Sequence, residues 1–457
     1  METTVENTKI IIPINFTHSA DIDGIVCGIL TNSICLGGVN CGDAYFAKPF
    51  IIGMPANTEQ MESIIQEKIT HKNITDYTEY ACSSHYTSDT IEGENLEYLI
   101  IVTDLHVPTV FIDYVKKVIT DCYPDSHIGF WEFDHHASNP EFGKFTYNFN
   151  EDEFYLPERV CICDNYFKTH GKCKVPELDI TFNKLCGAKD IKREIEELIV
   201  QYKLDGGLSV AERSAAYVYF RFLLDMGLFD FHDLNFMINL IKLVYHTSMY
   251  DTFEFSKKDR DCVIDHDYMD ALTVLWKSYK GDFFRFLNMV YDSLDDIPLV
   301  GEYEYLPTLP KSELLKLSFL FDQRKTEYRG VTKGIRVFPY ERIKYALNLE
   351  CNEELKYEDN VAVILQDVTD ASFVGNTLLK DYPKIKLVIM LFTNSRTASF
   401  RSSNLIDDAP DCGKIATLDL NGGGHKHAAG AVLSQDKFIN ILTLFWNTDK
   451  ANMDDYK

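Results

Sequence analysis

The sequence predicts an α/β protein: a parallel-sheet domain with a helical elaboration, then a smaller C-terminal α/β domain, with a cleft between the two. Three observations lead there. Apolar runs at 9–18, 97–106 and 126–136 are continuous rather than alternating, the pattern of central parallel strands buried on both faces. Long stretches between 211 and 294 carry apolar residues at i, i+3, i+4 and i+7, as helices packed over a sheet do. After residue 359 the chain returns to strand patterns around one helical segment.

Each element follows from its own residues. "KIIIPINFTH" is a buried strand, and "DIDGIVCGILTNSIC" continues with helical spacing of Ile22, Val26, Ile29 and Leu30. "EYLIIVTDLH" and "SHIGFWEFDHH" are the next strands. Residues 139–208 are irregular and read as an insertion, with one charged helix, "DIKREIEELIVQYKL". "AERSAAYVYFRFLLDMGL", "LNFMINLIKLVYHTSMYD" and "DYMDALTVLWKSYKGDFFRFLNMVYDSL" are helical stretches, and "SELLKLSFLFDQRK" is a connecting helix. "NVAVILQDV", "IKLVIMLFT" and "TASFRSS" are strands around the helix "FVGNTLLKDY". The expected organisation is a first domain over 1–325, a linker over 326–345 and a second domain over 346–457.

Composition narrows the function classes. The chain has 457 residues, 46% hydrophobic and 25% charged, which is ordinary for a globular protein. Acids outnumber bases by 70 to 45, for a net charge of −25. A protein that grips long nucleic acid shows a basic footprint, so no long duplex partner is expected, and a phosphate-bearing substrate should be small or held through metal ions. Excess acid also serves solubility alone. The longest apolar runs, such as "LVIMLF", are too short to span a bilayer, and "METTVENTK" is polar and acidic, unlike a secretory signal. A cytoplasmic protein without membrane association is expected, with its 12 cysteines reduced. Cys161, Cys163, Cys173 and Cys186, with His170 among them, are the densest group, but their spacing matches no standard zinc site and reads as scattered thiols.

The chemistry-bearing residues lie where the strands end, which in open α/β sheets is where sites form. His18, Asp21 and Asp23 follow the first strand, with Gly24 relaxing the turn; an acid pair beside glycine is also the pattern of a helix cap. Asp104 ends the run Leu99–Val102, where a buried carboxylate is costly unless paired or metal-bound, though it also suits a cap for the segment near Pro108. Asp134, His135 and His136 end the third strand, and Asp134 can orient an imidazole. Asp251 closes a helical stretch, where the dipole disfavours an acid. Two histidines with Asp21, Asp23, Asp104 and Asp251 can hold two divalent cations sharing one carboxylate, and oxygen-rich ligation suits Mn²⁺ or Mg²⁺ better than zinc. Far downstream, Gly422, Gly423 and Gly424 before His425 allow backbone N–H groups to cradle an anion, or mark a flexible turn. Arg401 of "SFRSS" is a forked phosphate binder or an exposed strand arginine.

"HSADIDG", "VTDLH", "DHH", "YDTF", "SFRSS" and "GGGH", in this order from His18 to His425, resemble the DHH phosphoesterase superfamily with its DHH-associated C-terminal domain. The resemblance implies a two-domain enzyme with two Mn²⁺ ions, Mg²⁺ or Co²⁺ being the alternatives. It implies His18, Asp21 and Asp104 on one ion, and Asp23, Asp104, His135 and Asp251 on the other. Asp134, His136 and Asp104 would be catalytic, with His136 facing the scissile phosphate. Arg401 and Ser402, with Gly422, Gly423, Gly424 and His425, would bind substrate. The first motif, His-x-x-Asp-x-Asp, is one residue tighter than the His-x-x-x-Asp-x-Asp form common in the family. The implied activity is hydrolysis of short oligonucleotides or dinucleotides to mononucleotides. Hydrolysis of cyclic dinucleotides or a nucleotide bisphosphate is the close alternative, polyphosphate hydrolysis a further one, and a non-catalytic nucleotide-binding regulator the alternative of another class. A homodimer is compatible with this reading.

Overall fold

The structure, a computed structural model, describes residues 9–35, 44–82, 96–136, 145–146, 159–162, 197–202, 213–226, 228, 234–252, 266–279, 281–294, 309–349, 356, 358–365, 368, 370–403, 409–420 and 422–457. The chain divides into two compact units: Met1–Thr252 with Ile264–Pro310, and Phe253–Val263 with Lys311–Lys457.

The first unit is built on a parallel sheet. β1 (Lys9–His18) pairs in parallel along one edge with β2 (Ala44–Phe46) and then β3 (Phe50–Met54). On its other side lies β4 (Leu96–Thr103), then β5 (His127–Phe133), all parallel. β7 (Arg159–Ile162) adds a further parallel strand beside β5, and β6 (Phe145–Thr146) pairs with it antiparallel. β1 and β4 are apolar through their length because both sheet faces are covered.

α1 (Ile22–Cys35), α2 (Thr58–Lys68), α3 (His71–Cys82) and α4 (Thr109–Cys122) are interleaved with these strands. α5 (Ala215–Asp225), α6 (Leu234–Asp251), α7 (His266–Ser278) and α8 (Phe283–Ser293) follow them. Ile10, Ile12, Ile14 and Phe16 of β1 and Tyr98, Ile100 and Val102 of β4 pack with Met61 and Ile65 of α2, Ile74 of α3, and Val115 and Ile119 of α4. The alternate residues of β5 face the opposite layer. Trp131 meets Phe222 of α5 at 5.0 Å between ring centroids, and Phe133 meets Tyr219 at 4.5 Å. Two faces with two helix layers place the carboxyl ends of β1, β4 and β5 side by side, as their registers require.

The second unit holds α9 (Lys311–Thr332), β8 (Arg336–Pro339), α10 (Tyr340–Leu347), β9 (Asn360–Leu365), α11 (Ala371–Asp381), β10 (Ile385–Phe392), β11 (Thr397–Ser402), β12 (Gly423–His425), β13 (Ala428–Val432) and α12 (Gln435–Trp446). Its sheet runs β12-β13-β11-β10-β9-β8 and is mixed, with β9 and β10 parallel and the other neighbours antiparallel. One face packs on α11 through Val374 and Leu378, the other on α10 and α12 through Ile343, Leu347 and Ile441.

Three expectations change in detail. The stretch 267–294 is two helices, because Gly281 adopts φ 83° and Asp282 caps α8 by accepting from the Arg285 amide. Residues 326–345, read as linker, hold the end of α9, β8 and most of α10. Arg336–Pro339 pairs with β9, and Phe338 and Tyr340 are buried, so this segment belongs to the second sheet. Within 139–208, Cys161 lies on β7 and residues 197–201 are helical, while Cys163, His170, Cys173 and Cys186 lie outside the described residues. Cys27, Cys82, Cys122 and Cys412 are free thiols. Among the described residues, no helix is long and apolar enough to cross a membrane.

Candidate metal centre

The site assembles at the carboxyl edge of the first sheet, from the strand ends and the helix ends that meet them. His18 is the last residue of β1, and Asp21 and Asp23 straddle the start of α1. This turn is tightly specified. The Gly24 amide donates to Asp21 Oδ1 (3.2 Å), the Thr17 hydroxyl donates to the Gly24 carbonyl (2.5 Å), and a Cβ on Gly24 would sit 1.9 Å from the His18 carbonyl oxygen. Only glycine lets the helix start this close to the strand end. The Ser19 amide bonds to the Met54 carbonyl, and Trp276 Nε1 donates to the Ala20 carbonyl (3.2 Å), so the loop is held from both sides.

Asp104 leaves β4 in the left-handed region, φ 59°, a conformation aspartate tolerates better than most residues. Its amide donates to the Phe133 carbonyl at 2.8 Å, tying the ends of β4 and β5 together. Asp134 then organises the turn after β5. Its Oδ1 accepts from the amides of His135 (2.8 Å) and His136 (3.2 Å) and lies 2.7 Å from His136 Nδ1. One buried carboxylate therefore fixes both the backbone and one imidazole, and the two histidine rings sit 4.4 Å apart.

Asp23 and Asp251 come from helix ends. Asp23 is buried, and the amides of Ala215 and Ala216 at the start of α5 donate to its Oδ2 (2.9 Å) and Oδ1 (3.2 Å). Ser214 caps α5, and its own amide donates to Ser248 Oγ on α6, one turn before Asp251. The two helices thereby set the spacing of their two acids.

The groups converge. His18 Nδ1 lies 3.0 Å from Asp21 and 3.5 Å from Asp104. His135 Nε2 lies 3.4 Å from Asp104, 3.3 Å from Asp251 and 3.8 Å from Asp23. Ligand atoms of His18, Asp21 and Asp104, those of Asp23, His135 and Asp251, and those of Asp104, Asp134 and His136 form three sets, each within 4.8 Å. Thus His18, Asp21, Asp23, Asp104, Asp134, His135, His136 and Asp251 share one region, and the tighter first motif does not keep His18 from its acids.

Electrostatics describe a site with too much buried negative charge to stand alone. Burial, reinforced by Asp104 and Asp251, pushes the Asp23 carboxyl up; burial, reinforced by Asp21 and Asp104, does the same to Asp251. Burial works against charge on His136, but the Asp134 hydrogen bond and the surrounding acids raise it to about 10. Both oxygens of Asp104 and the Nδ1 of His18 are buried without a hydrogen-bond partner. A carboxylate 2% exposed whose two oxygens face different imidazoles at 3.4–3.5 Å fits a cation on each side. The donor set, oxygen-rich with imidazole, suits a hard divalent ion. Cys27 lies one turn after Asp23, and burial with Asp23 and Asp104 pushes its thiol up, so it remains a thiol rather than a competing thiolate ligand.

The second unit places the other sequence-predicted residues. Arg401, on β11, is 9% exposed, which excludes an exposed strand arginine. Its Nη1 donates to Ser399 Oγ and the Phe400 carbonyl (2.8 Å each), and its Nη2 to Ser372 Oγ in the first turn of α11 (3.0 Å). Gly375 of α11 leaves room for its stem, since a Cβ there would lie 2.6 Å from Arg401 Cγ. Arg401 and His425 both register with Ala428, so they occupy one row across β11, β13 and β12, on the same face. Ser402 Oγ pairs with His427 Nδ1 at 3.2 Å. The glycine run is an ordered hairpin strand rather than a flexible turn. Gly422 would drive a Cβ to 2.1 Å from the Gly430 carbonyl oxygen, Gly424 has φ 137°, and Gly423 faces open space.

Two features escape the sequence reading. The amides at the start of α5 hold Asp23; their signal was the Ser-Ala-Ala that opens an apolar run, a helix-cap pattern. Glu132, an acid between aromatic residues in β5, pairs with His106 at 2.9 Å between Oε1 and Nδ1.

No family model and no curated protein matches the chain. Among solved structures it is similar to an uncharacterized protein from Helicobacter pylori G27, at 12% identity and TM-score 0.32, over 96% of this chain and 100% of that one. It is also similar to PggH, a pGpG-specific phosphodiesterase from Vibrio cholerae, at 13% identity and TM-score 0.38, over 98% and 100%. A third is RecJ in complex with Mg²⁺ from Thermus thermophilus, at 11% identity and TM-score 0.37, over 96% of this chain and 50% of RecJ.

Proposed function

We propose that this chain is a metal-dependent phosphodiesterase of the DHH type that hydrolyses short oligonucleotides or dinucleotides to mononucleotides. The observation that carries the reading is the buried Asp104 carboxylate, whose two oxygens face His18 and His135 and accept no hydrogen bond. His18, Asp21 and Asp104 would hold one divalent cation and Asp23, Asp104, His135 and Asp251 a second, with Mn²⁺ as the preferred ion. Bound there, such ions supply Lewis-acid charge to a phosphoryl group.

The chain's own groups do the rest. Asp134 holds the His136 ring through Nδ1, which leaves Nε2–H to donate to a phosphoryl oxygen. Asp23, fixed by two amides of α5, keeps its carboxylate aimed at His135 without needing to reorganise. Arg401, Ser402 and the hairpin of Gly422, Gly423, Gly424 and His425 are assigned to substrate recognition in the second unit, where Arg401 presents a fixed guanidinium fork. The net charge of −25 favours small substrates over long polyanions.

The test is an assay with Mn²⁺ on a linear dinucleotide with a 5′-phosphate, a cyclic dinucleotide, a nucleotide bisphosphate, long single strands and polyphosphate. Release of mononucleotides from the linear dinucleotide, faster than turnover of every other substrate, is expected. Preference for polyphosphate or for long strands would overturn the assignment.

A further inference from the structure

β5 and the turn after it carry two acids on one face, Glu132 and Asp134, and each engages an imidazole. Asp134 takes His136 at 2.7 Å, and Glu132 takes His106 at 2.9 Å, in both cases through Nδ1. The second pair plays no part in the metal set above.

Its placement is not accidental to the fold. His106 stands two residues after Asp104, in the loop from β4 to α4 at the same sheet edge. Leu105 and Val107 on either side are 6% and 3% exposed and belong to the core beneath α4. His106 between them keeps a third of its side chain in solvent. The loop is thus pinned at both flanks and presents one imidazole outward. Glu132 is 4% exposed and registers with Val102, on the face covered by α2, α3 and α4. Burying a carboxylate is costly, and its hydrogen bond to His106 fixes the ring orientation as an acid does for a working histidine. Because Glu132 engages Nδ1, contact with a substrate runs through Nε2. Asp23 and His135 approach the metal region from the α1 and α5 side, so His106 borders it from the α4 side.

We propose that His106 is a further substrate-contacting residue, donating Nε2–H to a phosphate oxygen at the rim of the metal centre, and that Glu132 is its positioning residue. The proposal rests on the phosphodiesterase reading.

The experiment measures Mn²⁺ binding by titration calorimetry and steady-state hydrolysis of a 5′-phosphorylated dinucleotide by wild type, His106→Ala, His106→Gln, Glu132→Gln, and the His106→Ala/Glu132→Gln double variant. Expected for His106→Ala is unchanged Mn²⁺ affinity with kcat/KM lowered about 10- to 100-fold, the size of a hydrogen bond to a charged group. His106→Gln, which keeps an N–H donor, should recover part of that loss. Glu132→Gln should lower activity less than His106→Ala, and the double variant should lose no more than His106→Ala alone. If wild type hydrolyses the dinucleotide and His106→Ala stays within about twofold of it, or loses Mn²⁺ binding in parallel, the role of His106 is refuted and the function stands. If wild type turns over no phosphodiester, the function reading fails and takes the proposal with it.

Discussion

The amide of Ala215 lies 2.9 Å from Oδ2 of Asp23, so the first turn of α5 grips an acid at the start of α1. That grip supplies positive helix-end charge to a carboxylate that burial and its neighbours push toward protonation. Ser214 is the cap that shapes this turn. Ser214→Ala should therefore cost about 1 kcal/mol of stability and weaken Mn²⁺ binding as well. Melting curves and calorimetric titration check both, and an unchanged Mn²⁺ affinity would separate the cap from the site.

Asp104→Asn should abolish hydrolysis while leaving the fold intact, because asparagine tolerates φ 59°. Asp104→Ala should also be inactive, and should lose an additional ~1–2 kcal/mol of stability from the left-handed backbone. Activity in either variant would show that Asp104 does not join the two ion positions.

pH should act on the chelator-treated protein through Asp251 and Asp23. Their folded values are raised, chiefly by burial. The stability they contribute is complete below the ordinary carboxylate value and is lost as pH rises through the folded values. Chelator-treated protein should thus melt at a lower temperature at about pH 8 than at about pH 6, and Mn²⁺ should reverse the difference. Asp251→Asn should raise the melting temperature in chelator by a few degrees while weakening Mn²⁺ binding. A melt in chelator that is flat with pH would count against the buried-charge account.

In the second unit, Gly422→Ala should destabilise by roughly 1–3 kcal/mol, because the new methyl meets the Gly430 carbonyl. Gly423→Ala meets nothing within 4 Å and should fold normally. A raised KM for Gly423→Ala with normal stability would report substrate contact. Arg401→Lys should raise KM about 10-fold or more, since one ammonium cannot reproduce the fork that reaches Ser399 and Ser372. Unchanged constants in both variants would remove this unit from substrate recognition.

The strands that build the site were readable because they are buried on both faces: Lys9–His18 is apolar enough to fix its own bounds. The residues at their ends were readable for the same reason, since Asp104 and Asp134 interrupt apolar runs where a lone acid is costly. What the sequence hides is contact between main chain and side chain over long separation. Nothing in the residue types near Asp23 shows that amides beyond residue 214 hold it. Segment 326–345 misled because Arg336–Pro339 is short and ends in proline, a weak local pattern rescued by pairing with β9. The continuous helical pattern over 267–294 hid a break, since one glycine in a long apolar period weakens a helix without announcing its end.

Asp251, at the close of α6, is also the last of the metal-facing acids to leave the ribosome. His18, Asp104 and His135 emerge well before it, so a nascent chain carries an incomplete cage through much of translation. Hydrolytic competence is thereby deferred until α5 and α6 have been made, and a prematurely terminated fragment ending before them is born inert.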